Sequence, residues 1–230
     1  MSANTTHHLL ADMERLRAHL GIDRWLLSAG SWGTTLALAY AQRFPERVSE
    51  LVLTSVTLSR KRDVDWLYHG VSRFFPEAWQ RFRDGVPSAE PSDLVAAYAR
   101  RMASLETRED AANRWANWED AVLSLEPNAV SRVYSERPAA DLIAFVRICS
   151  HYAAHAAFLA DDELLLNAPR IRQIPGVILH GRLDLSCPIA SAWELSRAWP
   201  KAEFHALDDM GHRANGSLRT RLLHAHAQFA

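Results

Sequence analysis

Ser31 is the first residue of this chain whose surroundings suggest chemistry. It stands in Ala29-Gly30-Ser31-Trp32-Gly33, between the short apolar run Trp25-Leu26-Leu27 and an apolar segment from Thr34 to Arg43. A serine on a sharp turn from strand to helix is lifted clear of the backbone. The turn is strained, so residues two positions away must be small. Ala29 and Gly33 meet that need, although the usual pattern carries glycine at both places. The helix that follows points its first N–H groups and the positive end of its dipole at the serine, where charge develops on a reacting oxygen. The pentapeptide by itself also fits a small-residue turn with a serine capping a helix.

Serine is a weak nucleophile without a base, and the base needs an acid to orient it. Val177-Ile178-Leu179-His180-Gly181-Arg182-Leu183-Asp184 places an acid just beyond an apolar strand. Phe204-His205-Ala206-Leu207-Asp208-Asp209-Met210-Gly211-His212 places a histidine just beyond the next one. Asp184 and His212 are 28 residues apart, room for one helix and one strand. The chain order Ser, Asp, His with each residue at a strand end brings all three to one edge of a parallel sheet. Alone, Asp184 reads as a turn aspartate and His212 as one of 11 histidines; the combination favours catalysis. Asp208 and Asp209 are weaker candidates for the acid because they share a loop with His212.

The elements that would position these residues follow from apolar periodicity. Leu9, Leu10, Met13, Leu16 and Leu20 recur at helical spacing, and Gly21 is placed to end that helix. Leu51-Val52-Leu53 and Val177-Ile178-Leu179 are continuous apolar runs, the mark of buried parallel strands. Glu203 to Leu207 alternates like a strand, Ile189 to Ala198 reads as a helix ended by Trp199-Pro200, and Ser217 to Phe229 closes the chain as a helix. From about Ser59 to Ala168 strand-like runs disappear. Aromatic-rich helical patterns replace them, punctuated by Pro76, Pro87, Pro91, Pro127 and Pro138. The expected architecture is α/β: a mostly parallel sheet of about four strands with an all-helical cap inserted. The division is 1–58 for the core part with the nucleophile, 59–168 for the cap and 169–230 for the core part with acid and base.

Composition narrows the classes. The chain has 230 residues, 26 Lys+Arg against 27 Asp+Glu, and is 48% hydrophobic. A near-neutral charge does not suit a general nucleic-acid binder. Two cysteines, Cys149 and Cys187, cannot build a disulfide framework. No run of about 18 apolar residues predicts a membrane span. Residues 1–8 lack a basic segment followed by an apolar one, so no signal peptide is expected, and a cytoplasmic location is.

Much of the chain resembles the prolyl aminopeptidases (proline iminopeptidases), serine peptidases of the α/β-hydrolase fold. The resemblance rests on Asp12-Met13-Glu14-Arg15-Leu16-Arg17, Gly30 to Gln42, Pro45-Glu46-Arg47-Val48 and Ser72-Arg73-Phe74-Phe75-Pro76. It continues in Trp115-Ala116-Asn117-Trp118-Glu119, Ile174 to Arg182 and Met210-Gly211-His212. It implies release of N-terminal proline from peptides through an acyl-enzyme, without metal or organic cofactor. Ser31 would be the nucleophile, His212 the base and then acid, Asp184 the orienting acid, and the Trp32 backbone N–H an oxyanion donor. Glu119 matches a cap carboxylate that receives the substrate's free amino group, and a cation entering a partly buried pocket needs such a partner.

Two departures accompany the resemblance. Where the family has a second cap carboxylate, in a segment like Arg-Ile-Glu-Asn-His-Tyr, this chain has Arg147-Ile148-Cys149-Ser150-His151-Tyr152. Weaker ammonium recognition or a shifted substrate follows, with Asp120, Glu126 and Asp141 as residues able to compensate. Second, the nine glycines are nowhere adjacent, so the His-Gly-Gly-type oxyanion loop of the family is not found. Loss of one oxyanion donor costs on the order of a hundred- to a thousandfold in rate. The Trp25-Leu26-Leu27 strand is then expected at a sheet edge, open to self-association. An N-terminally truncated chain is one expectation. An esterase-like α/β-hydrolase and a catalytically silent fragment are the alternatives. His151 and His155, four apart, read as structural rather than metal-binding, and Arg60-Lys61-Arg62 and Arg100-Arg101 as solvated helix charges.

Overall fold

The computed structural model describes residues 1, 3–86, 93–127 and 132–229; Pro87 and Pro91 lie outside them. Four strands form one parallel sheet in chain order: β1 (Trp25–Gly30), β2 (Val48–Thr54), β3 (Gly176–Gly181) and β4 (Ala202–Leu207). The expected mixture of parallel strands and helices is therefore what forms. β2 and β3 lie mid-sheet, which explains their continuous apolar sequences: both faces of each are covered. Leu51, Leu53 and Ile178 face one layer of helices, α1 (Thr6–His19), α2 (Trp32–Arg43) and α9 (Ile189–Ala198). Val52, Val177 and Leu179 face the other side, where α10 (Gly216–Ala227) packs. The two sets alternate along the strands because successive side chains of a strand point to opposite faces.

β1 is an edge strand among the described residues. Its apolar side chains are nevertheless covered: Leu27 is buried, and Trp25 packs against Tyr40 of α2. α2 is buried on most of its surface, as its run of alanine and leucine requires. It stops at Phe44 because Pro45 follows. Gly21 adopts φ +63°, the left-handed conformation that ends α1.

All regular elements described between β2 and β3 are helical: α3 (Lys61–Tyr68), α4 (Pro76–Arg83), α5 (Leu94–Ala103), α6 (Arg108–Leu123), α7 (Ala139–Ala154) and α8 (Glu163–Leu166), with short 3₁₀ turns. α3 to α7 enclose their own core. Phe82 stacks on Tyr98 and Trp118, and Trp115 sits edge-on to Phe82 and Tyr98.

Arg60 departs from the expectation of a solvated charge. It is 3% exposed and lies between α3 and α9. Its guanidinium binds Asp63 in α3, Glu194 and Ser191 in α9, and Asp162. Five N–H donors in a rigid fork suit such a junction, and a lysine could not serve it in the same way. Arg60→Ala takes the cationic partner from Asp63 at a buried seam and leaves it the Ser191 hydroxyl and the residue-60 N–H. Because Glu194 and Asp162 reach solvent, the expected loss is about 2–3 kcal/mol rather than that of a fully enclosed pair. Urea denaturation of the variant checks this; an unchanged midpoint would contradict the assignment.

Candidate active site

Ser31 has φ 54° and ψ −134°, outside the ordinary regions for a residue with a side chain. Its surroundings hold it there. Its N–H donates to Thr54 O at 3.0 Å, and its carbonyl accepts from the N–H and hydroxyl of Thr34 at 2.9 and 2.7 Å. Gly30 is required for space, since a Cβ there would stand 2.7 Å from Thr54 Oγ1. Ala29 is accommodated: a Cβ added to Gly33 would meet its methyl at 3.6 Å, an ordinary contact. Trp32 opens α2, so its backbone N–H is among the first four of the helix, which have no intrahelical acceptor.

The loops after β3 and β4 carry the other two residues. Leu183 N–H donates to Met210 O at 3.0 Å and Arg182 N–H to Leu207 O at 2.8 Å, which binds one loop to the other. Gly181 permits this approach, because a Cβ there would overlap the carbonyls of Met210 and Gly211. The juxtaposition brings His212 Nδ1 to 2.9 Å from Asp184 Oδ2. Asp184 Oδ1 accepts the N–H of Cys187 at 2.7 Å. Both carboxylate oxygens are thus engaged, and the side chain has no solvent exposure.

His180 lies 3.6 Å from the same carboxylate but is held as a neutral ring. Burial, partly opposed by Asp184, moves its pKa below the ordinary histidine value. Its Nδ1 accepts from Val56 N–H at 3.0 Å, which leaves Nε2 to donate to Cys187 O at 2.7 Å. His212 moves the other way. Burial disfavours its imidazolium, but the negative charge of Asp184, followed by Cys187, holds its pKa well above the usual range.

Ser31 and His212 line one cavity of about 380 Å³, at the lower end of the range of ligand pockets, about 300–1,000 Å³. Among the described contacts the Ser31 hydroxyl makes no hydrogen bond to the His212 ring. The cavity extends under α3, α6 and α7, where Val64, Leu67, Phe145, Ile148 and Ala153 give it an apolar wall. Glu119 of α6 enters that wall. Its Oε1 accepts from Tyr68 OH at 2.9 Å and from Trp115 Nε1 at 2.8 Å. Burial raises its pKa, and the two donors partly offset this. Trp115 and Glu119 stand one helical turn apart, so this contact was legible as i,i+4 spacing. Tyr68, from α3, was not.

Cys149 lines the same cavity, and burial raises its thiol pKa, as expected of a small semi-apolar side chain rather than a nucleophile. None of the three compensating carboxylates supplies a free acidic group beside it. Asp120 accepts the N–H groups of Tyr134 and Ser135 and the Ser135 hydroxyl. Glu126 accepts the N–H groups of His212 and Arg213. Asp141 is exposed at the start of α7. The other carboxylate of the cavity, Asp63, is held by Arg60.

Asp208 pairs with Arg182 at the surface and is not the partner of His212. His151 Nε2 meets Asn4 O and His155 Nδ1 meets His151 O, so this histidine pair is tied to backbone carbonyls. Asp184, Cys187 and His212 each place one donor atom within 4.8 Å of the others, close enough for a metal ion. The carboxylate oxygens are both taken by N–H groups, however, so the cluster is arranged around a proton. Cys187 is the neighbour of His212 that sequence reasoning passed over.

The sheet, the strained serine turn and the acid and histidine loops in that order define an α/β-hydrolase, and the family model described as alpha/beta hydrolase fold matches residues 2–215. The solved structures agree at the level of fold. The chain superposes on an α/β fold family hydrolase from Bacillus anthracis with TM-score 0.59 and 17% identity, over 98% of this chain and 74% of that one. It superposes on the enol-lactonase of Burkholderia xenovorans with TM-score 0.58 and 22% identity, over 98% and 73%.

Sequence relatives are more specific. The chain is 45% identical to the proline iminopeptidase of Xylella fastidiosa over 93% of its length and 69% of the relative's. It is 45% identical to that of Xanthomonas citri over 92% and 68%. It belongs to the proline iminopeptidase family.

A histidine acting as base must be neutral, and Asp184 raises the pKa that decides this. Activity should therefore rise with pH through a limb centred above about 6.5, the ordinary histidine value. Asp184→Asn should move that limb to lower pH and reduce kcat by about 10³–10⁴-fold, since the ring loses its orientation and imidazolium its counter-charge. A pH–rate profile of both proteins checks the sign; a limb that stays in place would contradict it.

Proposed function

We propose that the chain is a serine peptidase that releases N-terminal proline from peptides, with Ser31, His212 and Asp184 as its triad. The observation that carries this reading is the convergence of three elements on one cavity: the strained Ser31 turn, the Asp184–His212 pair, and the carboxylate Glu119 in an otherwise apolar wall.

Ser31 Oγ attacks the carbonyl carbon of the proline residue while His212 Nε2 takes the hydroxyl proton. Both residues line the same cavity, and the proton transfer requires their contact to form in the complex with substrate. Asp184 Oδ2, bound to Nδ1–H, steadies the imidazolium that forms. The Trp32 N–H, at the positive end of α2, donates to the oxyanion. Collapse of the tetrahedral intermediate breaks the C–N bond, and His212 passes its proton to the departing amine. Water, deprotonated by His212, then attacks the prolyl ester and frees Ser31.

Glu119 selects the substrate. Tyr68 and Trp115 both donate to Oε1, and Oε2 has no donor among the described contacts, which leaves it for the protonated proline nitrogen. Cys149 contributes no charge, so the ammonium rests on Glu119 alone. The apolar wall suits a pyrrolidine ring. No single described helix is long and apolar enough to cross a membrane. Two free cysteines support a cytoplasmic site of action.

A fluorophosphonate probe should label Ser31, and Ser31→Ala should abolish labelling. The chain should hydrolyse a chromogenic anilide of proline. Glu119→Gln should raise KM for it about 10- to 100-fold, the effect of one charge-assisted hydrogen bond, while leaving cleavage of a short acyl ester unchanged. Ester hydrolysis without anilide hydrolysis would point to an esterase, and failure to label would point to a silent fold.

A further inference from the structure

We infer that Glu126 is a positioning residue for the base: it clamps the His212 loop to the helix that carries the substrate-recognition carboxylate. The inference rests on the assignment of His212 as base. Glu126 is 7% exposed and lies three residues beyond the end of α6. Its Oε1 accepts the N–H of His212 at 2.6 Å and its Oε2 accepts that of Arg213 at 3.1 Å. A carboxylate that grips two successive N–H groups fixes both the position and the orientation of that peptide. From the other side Ser55 Oγ donates to the His212 carbonyl at 3.1 Å. The main chain of residue 212 is therefore held at both its N–H and its carbonyl, and its ring by Asp184. Gly211 makes the clamp sterically feasible, because a Cβ there would overlap the Glu126 carboxyl group.

Helix α6 is the other side of the clamp. Glu119 stands within it, and Glu126 sits on the turn that follows its end, tied back by its N–H to Leu123 O at 3.2 Å.

Glu126 also adds a negative charge to the surroundings of His212. The other titratable groups there are His180 near the end of β3, Asp184 and Cys187 from the loop after it, and Glu119 and Tyr134 from the helical segment above. Loss of the Glu126 charge should lower the pH at which His212 ionises, because a nearby negative charge favours the imidazolium.

The test uses the full chain and the pH dependence of fluorophosphonate labelling at Ser31, which needs the base but not the proline pocket. Glu126→Ala should slow labelling at least tenfold. Glu126→Gln, which keeps one acceptor, should recover part of that rate. In both variants the acidic limb should move to lower pH. Glu126→Asp keeps the charge but shortens the reach, so its rate should fall with the limb in place.

Variants that merely melt at lower temperature, with wild-type rate and limb below melting, would overturn the inference. If the wild type itself fails to label, the peptidase reading fails instead. The deshielded Nδ1 proton of His212 in NMR spectra then decides the inference: its loss in Glu126→Ala supports the clamp, and its persistence overturns it.

Discussion

Asp184 is enclosed by protein, and each of its carboxylate oxygens accepts one N–H group: Oδ1 that of Cys187 and Oδ2 that of His212. A buried carboxylate is tolerable only with such partners, because an unpaired charge out of water is costly. Most of the fold around the site can be understood as supplying them. The sheet aligns the loops after β3 and β4 by running both strands in the same direction. Gly181 lets those loops touch. His180 stays neutral beside the carboxylate and holds the carbonyl of Cys187, whose N–H the carboxylate uses. The chain from Val56 through His180 and Cys187 to Asp184 and His212 links the segment after β2, β3 and the loops after β3 and β4 through one set of hydrogen bonds.

The helical segment joins this arrangement at a few defined points. Arg60 ties α3 to α9 at a buried junction. Trp66 Nε1 donates to Leu185 O in the acid loop at 2.7 Å. Glu126 reaches the backbone of the histidine loop. The aromatic cluster of α3 to α7 supports these anchors, and one of the cavities along it is lined by both Glu119 and Ser31. The helical segment and the sheet layer thus have separate apolar cores and meet at these polar contacts.

Cys149 shows how one side chain redistributes the electrostatics of such a site. A thiol in a mostly apolar cavity adds no charge. Asp120 and Glu126, both near in sequence to Glu119, are committed to backbone N–H groups elsewhere. Glu119 is left as a cavity carboxylate with one oxygen that has no donor among the described contacts, in a setting where burial already raises its pKa.

Sequence alone determined the order of elements, because apolar periodicity and proline placement act locally: β2 and β3 read as buried strands, and α2 ends where Pro45 demands. It also determined the pairing of Asp184 with His212, since parallel strands bring successive loops to one edge. The glycines of the serine turn were legible for a similar reason, as their effect lies within a few residues. Tertiary structure alone decided the rest. Arg60 looks like any charged residue at a helix start, and only the approach of α9 makes it buried. Tyr68 meets Glu119, and Glu126 meets His212, across 51 and 86 positions respectively. Such contacts depend on how helices stack over the sheet, and packing of this kind leaves no periodic trace in a single chain of letters.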